Sequence, residues 1–147
     1  MISEAVFDTN VIVSGILFPD SIPGKVVNAI LEGHCRPIIS DAILAEYDDV
    51  LSRPKFNTSP ERVRAIIDAF RCMGVPASFA LAKNRAHFPD QDDLVFVEAA
   101  LSLGRVLVTG NKRHFPVRWM QGIDVLSSVD FLEIGEGRAF PRSPGAL

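Results

Sequence analysis

Residues 5–11 read Ala-Val-Phe-Asp-Thr-Asn-Val, an apolar run that reaches a carboxylate at Asp8 and becomes apolar again at Val11. A carboxylate at the end of a buried strand costs free energy unless a partner compensates its charge. In an open α/β sheet, the carboxyl ends of the strands border the crevice in which ligands bind. The stretch therefore predicts a first strand over residues 2–8, with Asp8 at a ligand-binding edge.

Apolar segments and helical patterns alternate along the rest of the chain. Further strands are predicted at 35–39, 77–81, 105–108 and 123–126. Helices are predicted to begin at Pro23 and to cover 41–53, 60–73, 94–103 and 128–134, whereas Val11–Phe18 is expected to bend at Ser14-Gly15. Strands separated by helices of about ten residues imply an α/β fold with a mostly parallel sheet covered on both faces.

The composition fits one globular domain. The chain has 147 residues, 48% of them apolar and 22% charged, and we expect a single domain over 1–134 with a flexible tail over 135–147. No apolar stretch is long enough to span a bilayer and no signal peptide is evident, so a cytoplasmic location is expected. Cys35 and Cys72 are expected to be buried thiols, because neither their number nor their spacing suits a disulfide framework or a metal site.

Acidic and neutral polar side chains recur where this topology could gather them, at strand ends and near helix starts: Asp8, Glu46, Asp92, Asp93, Thr109 and Asn111. Converging oxygen ligands are what Mg²⁺ or Mn²⁺ prefers. A bound cation can polarise a phosphodiester and lower the pKa of a coordinated water toward neutrality. The net charge of −3 does not exclude nucleic acid as a substrate, since a bound cation reverses the field around clustered acids.

Each of these residues, taken alone, also fits a purely structural role. Asp8 fits a turn residue, and Glu46 fits a solvated helix position. Asp92 and Asp93 suit helix N-caps, which the helix dipole stabilises, and Asn111 suits a turn. The prediction of a metal site therefore depends on one topology gathering all of them.

Four segments, in order, resemble the motifs of the PIN domain family: 8–11, 43–51, 90–100 and 108–115. The resemblance covers about residues 2–132 and includes similarity to the single-domain toxin ribonucleases of the VapC type. It implies a Rossmann-like three-layer α/β/α sandwich and a Mg²⁺- or Mn²⁺-dependent ribonuclease, the toxin component of a toxin–antitoxin pair. The implied partners are an RNA substrate, an antitoxin protein and a second copy of the chain in a homodimer; no membrane is implied.

The resemblance also implies roles for individual acids. Asp8, Glu46 and Asp93 match the acidic residues that hold the metal and carry catalysis. Asp92 is expected to take up part of the metal-binding role, and Asp90 is a weaker candidate because it lies further from the helix start.

Neutral polar residues are expected to support these acids. Thr9 or Asn10 would orient Asp8 or a metal-bound water, and Thr109 matches a polar position near the site. Asn111 stands where the family frequently has Asp, and its neutral side chain can orient a water or hold a second metal weakly.

Two basic segments are candidates for binding the RNA backbone, because phosphate contacts contribute most of the affinity for nucleic acids. The first follows Asn111, and the second ends the Glu46 helix; they contain Lys112, Arg113, His114 and Arg118, and Arg53 and Lys55, respectively. The first segment is equally explained as a solvated loop. Phe115 and Trp119 suit base stacking, although packing in the core explains them better.

Two other functions remain open. A phosphatase or phosphoacceptor of the strand-tip aspartate type would use Asp8 as its nucleophile, but a dehalogenase-type enzyme requires a second Asp where this chain has Asn10. A non-catalytic module that binds RNA or an antitoxin is the other, and the neutral Asn111 allows it. The apolar stripe of Val63–Phe70 fits either a dimer face or the core.

Overall fold

The computed structural model describes residues 2–135, which form five strands and six helices. The strands are β1 (Glu4–Phe7), β2 (Arg36–Ile39), β3 (Val75–Pro76), β4 (Val106–Val108) and β5 (Val125–Leu126). The helices are α1 (Thr9–Leu17), α2 (Ile22–Leu31), α3 (Asp41–Leu51), α4 (Pro60–Met73), α5 (Leu94–Leu103) and α6 (Ser128–Gly135). Apart from Gly135, the tail expected at 135–147 lies outside the described residues.

All five strands run parallel, in the order β3-β2-β1-β4-β5. Ala5 in the central strand pairs with Pro37 on one side and with Val106 on the other. Ala5, Val6 and Phe7 are completely buried, as expected for a central strand of a parallel sheet that is covered on both faces. The predicted α/β fold with a parallel central sheet is confirmed.

The expected bend at Ser14-Gly15 is wrong, because both residues lie inside α1. Gly15 is required there by the close approach of α2. A Cβ added at Gly15 would lie 2.4 Å from Cγ2 of Val27 and 2.5 Å from the carbonyl oxygen of Pro23. The glycine therefore marks a helix–helix contact rather than a turn.

The strand predicted at 77–81 is also wrong. The ladder to β2 ends where the Ala77 N–H donates to the carbonyl of Ile39, at 2.8 Å. Beyond Ile39 the chain enters α3, so no further partner for a strand exists on that side, and the Ser78 N–H turns to Oγ of Ser102 instead. Phe79 then projects into solvent with 83% of its surface exposed.

Helix α4 settles two sequence-based expectations. Its side chains Val63, Ile67 and Phe70 are buried within the chain, so the stripe belongs to the core and a homodimer would have to use another surface. Cys72 lies outside this stripe and is exposed, which contradicts the expected burial of both thiols. Cys35 is buried, and burial raises the pKa of its thiol to about 12.

No helix among residues 2–135 is both long enough and apolar enough to cross a membrane.

Candidate metal centre at the strand ends

Asp8 is held directly after β1 by a buried network. Its N–H donates to the carbonyl of Val108 at 2.9 Å, which extends the pairing of β1 with β4. Its Oδ2 accepts a 2.7 Å hydrogen bond from the hydroxyl of Thr109. Oγ1 of Thr109 in turn accepts the N–H of Asn111 at 3.0 Å. Asp8 is only 6% exposed and makes no side-chain cap to α1. The carboxylate is thus positioned by a neutral hydroxyl, and it forms no salt bridge within residues 2–135.

Helix α3 brings Glu46 to the same edge of the sheet. The helix begins where Oγ of Ser40 accepts the N–H of Ile43, at 3.1 Å. The fully buried Tyr47 donates its hydroxyl to the carbonyl of Phe7 at 2.5 Å. Because this carbonyl immediately precedes Asp8, the tyrosine fixes the distance between Glu46 and the end of β1.

We expect Tyr47→Phe to lower the free energy of unfolding by about 1 kcal/mol or more, because a buried hydrogen bond is lost while the shape of the ring is kept. Urea denaturation of the two proteins measures the difference. An unchanged midpoint would show that the Tyr47–Phe7 contact does not hold α3 in place.

Asp93 and its neighbours form a compact cluster at the start of α5. One ligand atom each from Asp90, Asp93 and His114 lies within 4.8 Å of the others. Nδ1 of His114 is 3.0 Å from Oδ2 of Asp93. Asp93 is 8% exposed, and its side chain does not cap α5. Asp90 instead caps the turn of 3₁₀ helix that precedes α5, Gln91–Asp93, since its Oδ1 accepts the N–H of Asp92 at 2.9 Å.

One cleft of about 400 Å³ joins these groups. Its acidic end is lined by Asp8, Thr9, Asn10, Glu46, Asp90, Asp93 and His114. The three carboxylates that the sequence singled out first all line this cleft. Among the described residues, however, the compact group of ligand atoms consists of Asp90, Asp93 and His114 and includes neither Asp8 nor Glu46. The structure leaves Asp92 exposed and outside the lining, and it places Thr109 and Asn111 behind Asp8.

Three basic residues expected to bind RNA lie outside the lining of the cleft. Lys112 is paired with Oδ2 of Asp130 at 3.0 Å, and Arg118 lies over the ring of Trp119 at 4.3 Å. Arg113 is exposed. Arg53, from the second basic segment, does line the cleft. Phe115 is 1% exposed and belongs to the core, so it cannot stack on a base.

Sequence reasoning gave too little weight to Asp90 and His114. Asp90 precedes Asp93 by one helical turn, a spacing that places both side chains on one face. His114 ends a single turn of 3₁₀ helix, Lys112–His114, which residues 109–111 connect to β4. That turn, which the sequence pattern did not show, carries its ring back to Asp93.

Burial raises the pKa of all three carboxyl groups at the acidic end. Desolvation raises the pKa of Asp8, against the lowering effect of its bond from Thr109. Desolvation and then the charge of Asp8 raise the pKa of Asp93 to about 6. Desolvation and then the charge of Asp49 raise the pKa of Glu46. Without a cation, the cluster therefore favours bound protons.

We expect the metal-free protein to lose stability as the pH rises from 5 to 8. The pKa of Asp93 is about 6 in the folded state, above its ordinary value of 3.8. The stabilisation by the proton on Asp93 is therefore complete below pH 3.8 and is lost as the pH rises through about 6. Between pH 5 and 8 we expect the free energy of unfolding to fall by about 1–2 kcal/mol. Denaturation in chelator at several pH values measures the slope.

Asp93→Asn should flatten this dependence, whereas Asp68→Asn on the exposed surface of α4 should keep it. A stability that rises between pH 5 and 8 in the chelated protein would contradict the raised pKa.

The residues at the acidic end suit a divalent cation. Oγ1 of Thr9 is a buried polar atom without a hydrogen-bond partner among the described residues, and Thr9 lines the cleft. Such an atom normally has a ligand or a bound water. Carboxylate oxygens suit Mg²⁺ and Mn²⁺, and the imidazole of His114 adds a nitrogen donor that first-row transition metals accept more readily than Mg²⁺ does.

Comparison with known proteins agrees with this geometry. A family model described as PIN domain matches residues 4–113, from the start of β1 to beyond the end of β4. The uncharacterized protein MJ1680 of Methanocaldococcus jannaschii is 30% identical over 118 residues, which make up 78% of this chain and 75% of that protein. PIN domains are generally nucleases that use divalent metal ions. Since the matched residues include Asp8, Glu46 and Asp93, the acidic end of the cleft lies within the shared region, and the chain belongs to the PIN domain family.

Proposed function

We propose that this protein is a Mg²⁺- or Mn²⁺-dependent endoribonuclease that acts as the toxin of a toxin–antitoxin pair. The observation that carries the proposal is the convergence of Asp8, Glu46 and Asp93 on one cleft from three separate elements. Asp8 repels Asp93, and Asp92 and Asp90 repel Glu46, so keeping these buried or half-buried carboxylates at one cleft costs free energy that a shared cation would offset.

In this proposal, Asp8, Glu46 and Asp93 hold the metal ion, and Asp90 and His114 complete the donor set. The ion supplies a Lewis acid for the phosphodiester and a water of lowered pKa. Thr109 keeps the Asp8 carboxylate in one orientation through its 2.7 Å bond, and Tyr47 keeps α3 at a fixed distance from β1. His114 holds Asp93 in place through the 3.0 Å contact.

The neutral Asn111 does not argue against activity. It contributes its N–H to Thr109 behind Asp8 and does not line the cleft. Asp90 does line the cleft, so its carboxylate is available where the sequence alone suggested a deficit of charge.

The partners and the location form part of the same proposal. An antitoxin protein, a homodimer and a cytoplasmic site of action are supported by the similarity to VapC-type toxins. Induced expression in a bacterium tests the toxin role. Growth arrest by the wild-type protein, but not by Asp8→Asn, is the expected result.

The cleavage assay begins with purified protein stripped of metal by a chelator. We expect no cleavage of a labelled RNA until Mg²⁺ or Mn²⁺ is restored, and full loss again after renewed chelation. Cleavage that persists in excess chelator would contradict metal dependence. An RNA that is bound but never cut with either ion would instead favour an inactive binding module.

A further inference from the structure

The cleft has a second end whose chemistry differs from that of the acids. Beyond Asp8 and Glu46 it is lined by apolar and aromatic side chains: Val13, Leu17, Phe18, Val50 and Phe56. The ring of Phe18 is 63% exposed although it borders the cleft, and Phe56 is half-buried. We call this part, with Arg53, the apolar end.

The exposure of Phe18 is fixed by its backbone. Its N–H ends α1 by donating to the carbonyl of Ser14, at 2.9 Å. Its own carbonyl accepts both the N–H of Ser21 at 3.0 Å and Oγ of Ser21 at 2.6 Å. Gly24 packs so closely that an added Cβ would lie 2.7 Å from that carbonyl. These contacts fix the backbone of Phe18 beside the cleft, where the residue stays mostly exposed.

Three basic side chains lie at or near the apolar end: Arg53 lines the cleft, whereas Lys55 and Arg62 do not. The Lys55 ammonium lies 5.0 Å from the centroid of the Phe56 ring, and Arg62 donates to the carbonyl of Ile16, the residue before Leu17, at 3.3 Å. Within residues 2–135, no carboxylate forms a salt bridge with either cation. The salt bridge of Arg53 with Asp49 is weak, because both side chains are exposed and the N–O distance is 3.5 Å.

We propose that the apolar end binds one unpaired nucleobase of the RNA, stacked on Phe18 and Phe56, while Arg53 contacts the adjoining phosphate. The inference rests on the proposed function, because the acidic end must handle the neighbouring phosphodiester. Aromatic faces beside cations are what proteins use to bind single strands without reading their sequence. An apolar segment of a protein partner could pack against the two rings, but it would supply no negative charge for these cations.

The size of the cleft and the need for an exposed base face select the class of substrate. The whole cleft, with both of its ends, has a volume of about 400 Å³, near the lower limit of ligand sites, which begin at about 300 Å³. Its apolar end alone therefore has room for one base rather than several. A base inside a duplex has both faces covered by its neighbours, so it cannot stack on Phe18. The proposed base site therefore requires an unpaired base next to the scissile phosphate.

The test combines a base deletion in the RNA with a ring deletion in the protein. The wild-type protein, with Mn²⁺, is given an RNA whose cleavage site is known. It is also given a series of copies of this RNA, each of which lacks the base at one position flanking the cleavage site. We expect one abasic position to lower kcat/KM about tenfold or more. Phe18→Ala should lower kcat/KM on the intact RNA by a similar factor. With this variant, the missing base should cause no further loss in kcat/KM, so that the abasic penalty disappears.

Two further protein variants serve as controls for this combination of base deletion and ring deletion. Phe56→Leu keeps an apolar side chain but no ring, so it should reproduce the effect of Phe18→Ala even if one of the two variants proves unstable. Phe79→Ala removes an exposed ring outside this cleft and should leave both the rate and the abasic penalty unchanged.

A binding measurement gives a readout that does not require turnover. In an Asp93→Asn background, RNA carrying 2-aminopurine at the sensitive position should lose fluorescence on binding, and Phe18→Ala should abolish that quenching. If the fold-losses in kcat/KM caused by Phe18→Ala and by the missing base multiply when the two changes are combined, the ring and the base act independently. That result would overturn the base site and leave the proposed nuclease activity intact. If Phe18→Ala changes only the oligomeric state of the protein in solution, Phe18 makes a protein contact instead. That result would also overturn the base site. If the wild-type protein cuts no RNA with Mn²⁺, both proposals fail.

Discussion

Asp8→Asn is expected to lower kcat/KM for RNA cleavage by at least about 100-fold, because a Lewis-acid site that contributes several kcal/mol would lose a ligand. The same change should raise the stability of the metal-free protein at pH 7–8. Burial raises the pKa of Asp8, so the ionised carboxylate destabilises the folded state and a neutral amide of the same shape does not. The hydroxyl of Thr109 can still donate to the amide oxygen.

The measurement pairs a cleavage assay in Mn²⁺ with urea denaturation in chelator. Asp68→Asn, the same substitution on the exposed surface of α4, should change neither quantity. A variant at Asp8 that cleaves as fast as the wild type, with trace metals controlled, would remove this residue from the site. Loss of cleavage together with loss of stability would indicate a structural role.

Gly15→Ala is expected to lower the free energy of unfolding by about 3 kcal/mol, because overpacking at a rigid contact forces backbone shifts. The new Cβ would meet the carbonyl oxygen of Pro23 at 2.5 Å and the carbonyl carbon at 2.9 Å, neither of which can rotate away. Since α1 begins directly after Asp8, displacement of the helix should also reduce cleavage.

Gly110→Ala serves as the matched control. Its added Cβ would meet Asn10 at 3.4 Å, an ordinary contact, and its backbone does not have a positive φ. This control should therefore cost far less stability than Gly15→Ala. Similar stabilities for the two variants would show that α1 and α2 do not pack as closely as the structure indicates.

Local patterns in the sequence were sufficient to predict most elements. Ser40 and Ser59 each precede an amphipathic helix and each accepts the expected capping N–H, at 3.1 and 3.2 Å. Strand β1 was recognisable because three apolar residues precede an acid. Helix α1 was missed because residues 11–18 are apolar on nearly every side, and periodicity cannot identify a helix in such a run.

The acidic end was only partly predictable for a different reason. Asp8 and Glu46 follow strands whose carboxyl ends share one edge, so the topology alone places them near each other. Within residues 90–93, however, one turn of 3₁₀ helix decides which acids face the cleft. That turn directs Asp90 and Asp93 inward and leaves Asp92 exposed, and the sequence has no periodic signal for so short an element.

Diffraction from a crystal soaked in Mn²⁺, recorded at a wavelength where the ion scatters anomalously, tests most directly whether Asp8, Glu46 and Asp93 share one cation. We predict a single strong peak in the cleft, about 2.0–2.6 Å from carboxylate oxygens of Asp8 and Asp93, with Glu46 bound directly or through water. An ion bound away from these three carboxylates, or no peak in the cleft at millimolar Mn²⁺, would contradict the proposed metal centre and the nuclease mechanism built on it.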